Sequence, residues 1–136
     1  MAITQSIKPD LYPKVDDEAT IVLQYPKMQG IIQASWNWPI DRKDMEVYGR
    51  TGYVISDNRH DMRFRLSQKD KEHKLKLGDR PSPYNDPFAL LDAVVRNEIT
   101  LSPYDLYSIE NNMIVVEILD ATKKSSETGQ LIKLKK

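Results

Sequence analysis

The fold turns on one run: Thr20-Ile21-Val22-Leu23-Gln24-Tyr25-Pro26-Lys27-Met28-Gln29-Gly30-Ile31-Ile32-Gln33-Ala34-Ser35-Trp36-Asn37-Trp38. Thr20 to Tyr25 is β-branched and aromatic, as a half-buried pleated surface prefers. Pro26 stops it, because proline has no N–H for a ladder. Pro26 to Gly30 reads as a turn. Beyond it, the even positions are Ile32, Ala34, Trp36 and Trp38, while the odd ones include Gln33, Ser35 and Asn37. A period of two marks a strand with one buried face. Two such strands across a short turn predict an antiparallel hairpin.

Downstream the same pattern repeats. Met45–Tyr48, Tyr53–Ser56, Met62–Leu66 and His73–Leu77 are short alternating stretches separated by charged or glycine-bearing turns. Gly49 and Gly52 are expected to supply positive φ in one of these turns. About six strands on short links predict an antiparallel meander, since a parallel crossover needs about a dozen residues. Upstream, Met1 to Asp17 is polar and carries Pro9 and Pro13, which predicts an extended lead-in over 1–17. Part of Ile3 to Ile7 can add an edge strand. The rest, 18–136, reads as one α+β domain.

The period changes after the loop from Gly78 to Pro87. Asp86 is a good N-cap and Pro87 suits the first helical position. Phe88, Leu91, Val94 and Val95 then share a helical face up to about Arg96. Ser102, followed by Pro103 and Asp105, resembles a second start. Ile109, Met113, Val116 and Leu119 predict a long helix from roughly Ser108 to Ser126, with Val116 and Leu119 buried against the sheet. Gly129 is expected in the left-handed conformation that ends a helix, and Leu131 to Leu134 as a final strand. The fold class is therefore α+β: a mostly antiparallel open sheet with two or three helices packed on one face. What covers the other face is the main question.

The chain has 136 residues with 20 basic and 20 acidic side chains. That balance lacks the basic excess of a nucleic-acid partner. The absence of cysteine excludes disulfides, thiolate metal sites and cysteine nucleophiles. No apolar run reaches the ~20 residues of a membrane span. Met1-Ala2-Ile3-Thr4-Gln5-Ser6 lacks the features of a signal peptide, so a cytoplasmic location is expected. Neither a G-x-G-x-x-G nor a P-loop is present, so no nucleotide cofactor is expected to bind these residues.

No catalytic, cofactor-binding or metal-binding residue is assigned. His60 and His73 sit in a charged turn and at a strand edge, where a histidine is most simply solvated. Asp16-Asp17-Glu18 is a carboxylate cluster, and Asp17 is a candidate for a substrate or interface surface. The simpler role for such carboxylates is to cap a strand and face water. Trp36 and Trp38, with Tyr48 and Tyr53, could form an aromatic wall for a sugar. Aromatic residues equally fill cores and the centres of interfaces. Arg42, Lys43, Arg63, Arg65, Lys74 and Lys76 are matched by nearby acids and read as a solvated face.

The run Val15-Asp16-Asp17-Glu18-Ala19-Thr20 through Pro26 resembles the C-terminal domain of the Gfo/Idh/MocA oxidoreductases (glucose–fructose oxidoreductase, inositol dehydrogenase, rhizopine catabolism). The similarity continues through Gln33 to Pro39, Asp44 to Gly49 with Gly52, the helix Asn111 to Ser126, and Thr128-Gly129. It spans about Tyr12 to Leu134 and corresponds to the second part of that C-terminal domain. It implies a parent enzyme that uses NAD or NADP on sugars or polyols, with a Rossmann domain ahead of this segment. It also implies homo-oligomers, because the open sheet face of that domain commonly joins subunits. The glycine fingerprint, the Glu-Lys-Pro motif with its catalytic lysine, and the Asp and His near substrate have no counterpart here. The expectation is a shortened piece: a scaffold and substrate wall without its own catalysis. A stand-alone carbohydrate-binding or protein-interaction module is the alternative.

Overall fold

A computed structural model describes residues 1–134, so Lys135 and Lys136, the end of the expected domain, lie outside the described residues. The chain forms two compact units, Met1–Pro39 with Leu101 onward, and Ile40–Thr100.

The first unit holds a three-stranded antiparallel sheet in the order β1 (Ala2–Gln5), β2 (Glu18–Gln24), β3 (Gln29–Ser35). The expected hairpin is present, with Ile21 opposite Ile32 and Gln24 opposite Gln29. Tyr25 N donates to Met28 O across its turn at 2.9 Å. β1 lies inside the expected lead-in and pairs Ala2 with Ile21 and Gln5 with Glu18. Trp36 and Trp38, expected on one face of the second strand, both fall beyond Ser35, where β3 ends. Pro39 closes the segment soon after, and Asn37 bonds sideways to the ends of the hairpin.

The long helix α2 (Ile109–Thr128) belongs to this unit. Ser108 caps it by accepting from Asn111 N, and Gly129, at φ 67°, ends it in the left-handed conformation. The Ser102 start is not a helix. Residues 103–107 are turns whose backbone bonds lead into the Ser108 cap. The expected final strand, Leu131 to Leu134, is irregular.

The face that α2 buries also differs from the expectation. Val116 and Leu119 are each half exposed, whereas Thr122 and Ser125 are buried. The reason lies in β1. Its outer edge presents the N–H groups of Ala2 and Thr4, which need acceptors. Ser125 Oγ takes the first at 3.0 Å and Ser126 Oγ the second at 3.0 Å. Small hydroxylated residues let the helix approach that edge and satisfy it, which bulky aliphatic side chains cannot do.

The second unit is a four-stranded antiparallel meander, β4 (Met45–Tyr48), β5 (Tyr53–Ser56), β6 (Asp61–Arg65) and β7 (His73–Lys76), followed by α1 (Pro87–Val95). The register sets Val47, Val54, Phe64 and His73 in one cross-strand row. Met45, Met62 and Leu75 share that face by the strand period. Tyr48, Tyr53, Ile55, Arg63 and Lys74 occupy the opposite face. Asp86 accepts from Phe88 N at 2.7 Å and Ala89 N at 3.2 Å, and Pro87 opens the helix as expected. Its buried residues are Leu90 and Ala93, while Phe88, Leu91 and Val95 are exposed. Together the α+β class and the antiparallel pairing hold, with seven strands among the described residues divided between two sheets.

Candidate functional site

The first unit gathers a polar cluster where β2 begins and β3 ends. Asp17 is buried, and its carboxylate accepts from Ile7 N at 2.7 Å and Lys8 N at 2.8 Å. Its carbonyl accepts from Trp36 N at 2.9 Å and Asn37 Nδ2 at 3.2 Å. Asp17 therefore ties the loop after β1 to both strands of the hairpin. Beside it, Glu18 Oε2 accepts from Ser35 Oγ and, at 3.2 Å, from Asn37 Nδ2. Two oxygen acceptors around Nδ2 fix the orientation of the Asn37 amide. Its Oδ1 is buried and meets no hydrogen-bond donor among the described residues. Next to the cluster, the Trp36 ring packs on Tyr12 with centroids 5.0 Å apart, yet Trp36 stays 60% exposed.

Electrostatically, burial pushes the Asp17 carboxyl up, but the two backbone amides and the Asn37 side chain outweigh it and hold its pKa below the ordinary value. A carboxylate held this way is an acceptor for backbone, not a proton donor for chemistry. A folded pKa below the unfolded value makes the contribution complete above about pH 4 and lost as pH falls through the folded value. Asp17→Asn should therefore lower the thermal midpoint at neutral pH. The gap to the wild type should narrow as pH drops below about 4. Midpoints measured across that range check this, and a gap independent of pH would show that the carboxylate charge is not what matters.

The second unit carries a tyrosine–acid network on the strand face opposite Phe64. Tyr48 Oη donates to Glu46 at 2.7 Å, and Tyr53 Oη donates to Glu72 at 2.7 Å. These carboxylate acceptors raise both phenol pKa values. Arg63 pairs with Asp57 at 3.1 Å and with Glu72 at 3.3 Å. The Tyr48 and Tyr53 rings are 5.9 Å apart. Of the basic residues named from the sequence, Arg63 is neutralised within this network, Arg42 pairs with Asp44 at 2.6 Å, and Arg65 donates to the carbonyls of Ser67 and Gln68. His73 stacks on Phe64 at 5.2 Å and contacts Asp70 at 3.1 Å. The Nδ1 of His60 lies 3.1 Å from Leu77 O. Both histidines thus serve local structure. Among the described residues, no three His, Cys, Asp or Glu side chains are grouped to hold a metal ion. None of the described helices is long and apolar enough to cross a membrane.

Of the residues singled out from the sequence, Asp17, Trp36 and Trp38 belong to the first unit and Tyr48 to the second. The structure joins Asp17 to Trp36 through a backbone bond and Tyr48 to Tyr53 through ring contact. Sequence reasoning missed Glu18, Ser35 and Asn37 as a bonded set. The signal for it was present in the odd, polar positions of the hairpin. A second feature of the first unit is an apolar groove of about 560 Å³ between the Ile21–Pro26 end of β2, the Ile118–Ser125 face of α2 and the Leu131–Leu134 tail.

No protein-family model and no curated protein sequence matches the chain. Its fold recurs in solved structures designated as oxidoreductases. The Bacillus subtilis protein yvaA matches 99% of this chain and 45% of its own, with a TM-score of 0.73 and 13% identity. A protein from Klebsiella pneumoniae matches 99% of this chain and 43% of its own, with a TM-score of 0.65 and 16% identity. At these identities the likeness is one of fold. The chain spans less than half the length of either protein.

Proposed function

We propose that this chain is the scaffold and substrate-wall portion of a Gfo/Idh/MocA-like NAD(P)-dependent oxidoreductase acting on sugars or polyols. The observation that carries the reading is the fold match, which takes in nearly all of this chain and less than half of each neighbour. The motifs from Val15 to Pro39 point to the same family. No residue here supplies hydride chemistry, and the pyrophosphate turn of a dinucleotide site is not in the sequence. In such a parent the cofactor belongs to the Rossmann domain, and the catalytic Lys, Asp and His to segments outside the part this chain matches. Titration of the isolated chain with NADH and NADPH should give no heat of binding. A dissociation constant on the order of micromolar would overturn the assignment of roles.

Uncovered surface supports a partner. The chain exposes 11,768 Å². A globular monomer of its mass exposes about 7,300 Å², and two separate globules of the sizes of its units expose about 8,800 Å². In the second unit the face bearing Met45, Val47, Val54 and Leu75 is exposed and apolar. Homo-oligomers joined through this open sheet face, and contact with the Rossmann part of the parent, are the partners we propose. A cytoplasmic location goes with that reading.

A second reading, a carbohydrate-binding module, draws on the exposed Trp36 ring packed on Tyr12. Monosaccharide titration followed by tryptophan fluorescence separates the two. Saturable quenching abolished by Trp36→Ala favours the module.

A further inference from the structure

The two sheets have four edge strands, and three carry devices that discourage pairing. On β1, the outward N–H groups of Ala2 and Thr4 are taken by Ser125 and Ser126. β4 carries Glu46 and follows Asp44, and β7 carries Lys74 and Lys76. Charges on an edge oppose the docking of another strand. β3 differs, because Gln29-Gly30-Ile31-Ile32-Gln33-Ala34-Ser35 has neither charge nor proline, and among the described residues its only strand neighbour is β2.

Hydrogen bonding across the hairpin identifies which groups are open. Tyr25 N bonds Met28 O, and Trp36 N bonds Asp17 O. Antiparallel pairs alternate between bonded and non-bonded. Gly30, Ile32 and Ala34 therefore bond to β2, and the N–H and C=O of Ile31 and Gln33 point away from it. Ile31 is 68% exposed.

We infer that this edge pairs with the same edge of a second copy of the chain, antiparallel about a two-fold axis through Ile32. Ile31 then exchanges backbone bonds with Gln33 of the second copy, and Gln33 with its Ile31. The seven residues of β3 are centred on Ile32, so the whole strand is used. Ile32 meets its own copy as a non-hydrogen-bonded pair, with Cα atoms about 4.5 Å apart. The occupant is a second copy because β3 brings no charge to the axis, whereas β4 or β7 would set like charges against each other. This contact is an edge-to-edge pairing in the first unit. It is separate from face-to-face association of the second unit's sheet and stands without the oxidoreductase reading.

The native chain has no cysteine, so Ile32→Cys provides a single thiol placed to bond with its own copy. On mild oxidation its covalent dimer should form about tenfold or more faster than that of Ile40→Cys, a thiol at another exposed position, because pairing raises the local thiol concentration. Adding Gln33→Pro, which removes only an outward N–H, should bring the rate down to that of Ile40→Cys. In the unmodified chain, the amides of Ile31 and Gln33 should exchange more slowly as protein concentration rises. That readout needs no variant to fold. Equal cross-linking rates for the two thiols, or exchange at Ile31 and Gln33 that does not change with concentration, would overturn the pairing. Protection at these amides with no cross-link would overturn it as well, and would assign the edge to a different strand.

Discussion

Gly52→Ala should cost the second unit about 3 kcal/mol or more, because the added carbon has nowhere to go. A Cβ at this position would lie 2.0 Å from the carbonyl oxygen of Arg65 and 2.8 Å from the backbone of Leu66. Every atom it meets is backbone, so no side chain can swing aside. Relief requires β5 and β6 to separate next to the Tyr53–Arg65 rung, where the meander begins to pair. Gly52 also accepts Gly49 N at 2.8 Å across the β4–β5 turn, so the shift spreads into that hairpin. With total stabilities of only about 5–15 kcal/mol, such a loss is a large fraction of the whole. Gly49→Ala is the control, since its Cβ would meet nothing closer than 3.5 Å. Urea denaturation followed by circular dichroism measures both. A Gly52→Ala change within about 0.5 kcal/mol of wild type would show that the two strands are not held this closely.

Ser125→Ala should cost about 1–3 kcal/mol, although it removes a single oxygen. Ser125 is 2% exposed. Its Oγ accepts from Ala2 N and donates to Gln130 O at 2.7 Å. Alanine leaves the edge N–H of β1 without its acceptor and the carbonyl beyond the helix without its donor. The buried N–H left unsatisfied costs about 1–3 kcal/mol, whereas water can reach the carbonyl of the exposed Gln130. Ser126→Ala should cost less, since Ser126 and its partner Thr4 are only half-buried and water can replace the lost acceptor. Denaturation midpoints for the two variants rank them. Equal and small losses would mean that α2 is not what closes the edge of β1.

These two positions show how far the sequence could be read. Alternation from Thr20 to Ser35 was enough to locate the hairpin, and the cap residues Asp86, Ser108 and Gly129 were enough to bound the helices. The lost information concerned partners distant in sequence. Gly52 was read as a residue for positive φ, yet among the described glycines only Gly129 has one. What Gly52 provides is room for the Arg65 carbonyl, a neighbour thirteen positions away and visible only once the strands pair. The large aliphatic stripe of α2 pointed to Val116 and Leu119 as core. The buried face is set instead by Thr122 and Ser125, because β1 needed acceptors more than it needed bulk. Serines in a helix interior, where they carry no helical advantage, were the available sign.

The candidate cluster was legible in composition and not in connection. The acids before Thr20 were visible as a run. That Asp17 would turn inward depended on the loop after β1 bringing the amides of Ile7 and Lys8 to its carboxylate. Asn37 reads as an ordinary polar position of a strand, and only the end of β3 at Ser35 turns it toward Glu18.

The central claim is that this chain works as part of a longer oxidoreductase, and the polypeptide that bears it in its native cells tests that claim most directly. Dividing 15.8 kDa by the 45% share matched in yvaA gives an intact polypeptide of about 35 kDa. Immunoprecipitation with an antibody against α2, followed by intact-mass measurement and peptide sequencing, should return a species near that mass. Its additional sequence should hold a glycine-rich dinucleotide fingerprint after a strand. A native species of 15.8 kDa, or a longer one with no such fingerprint, would contradict the account.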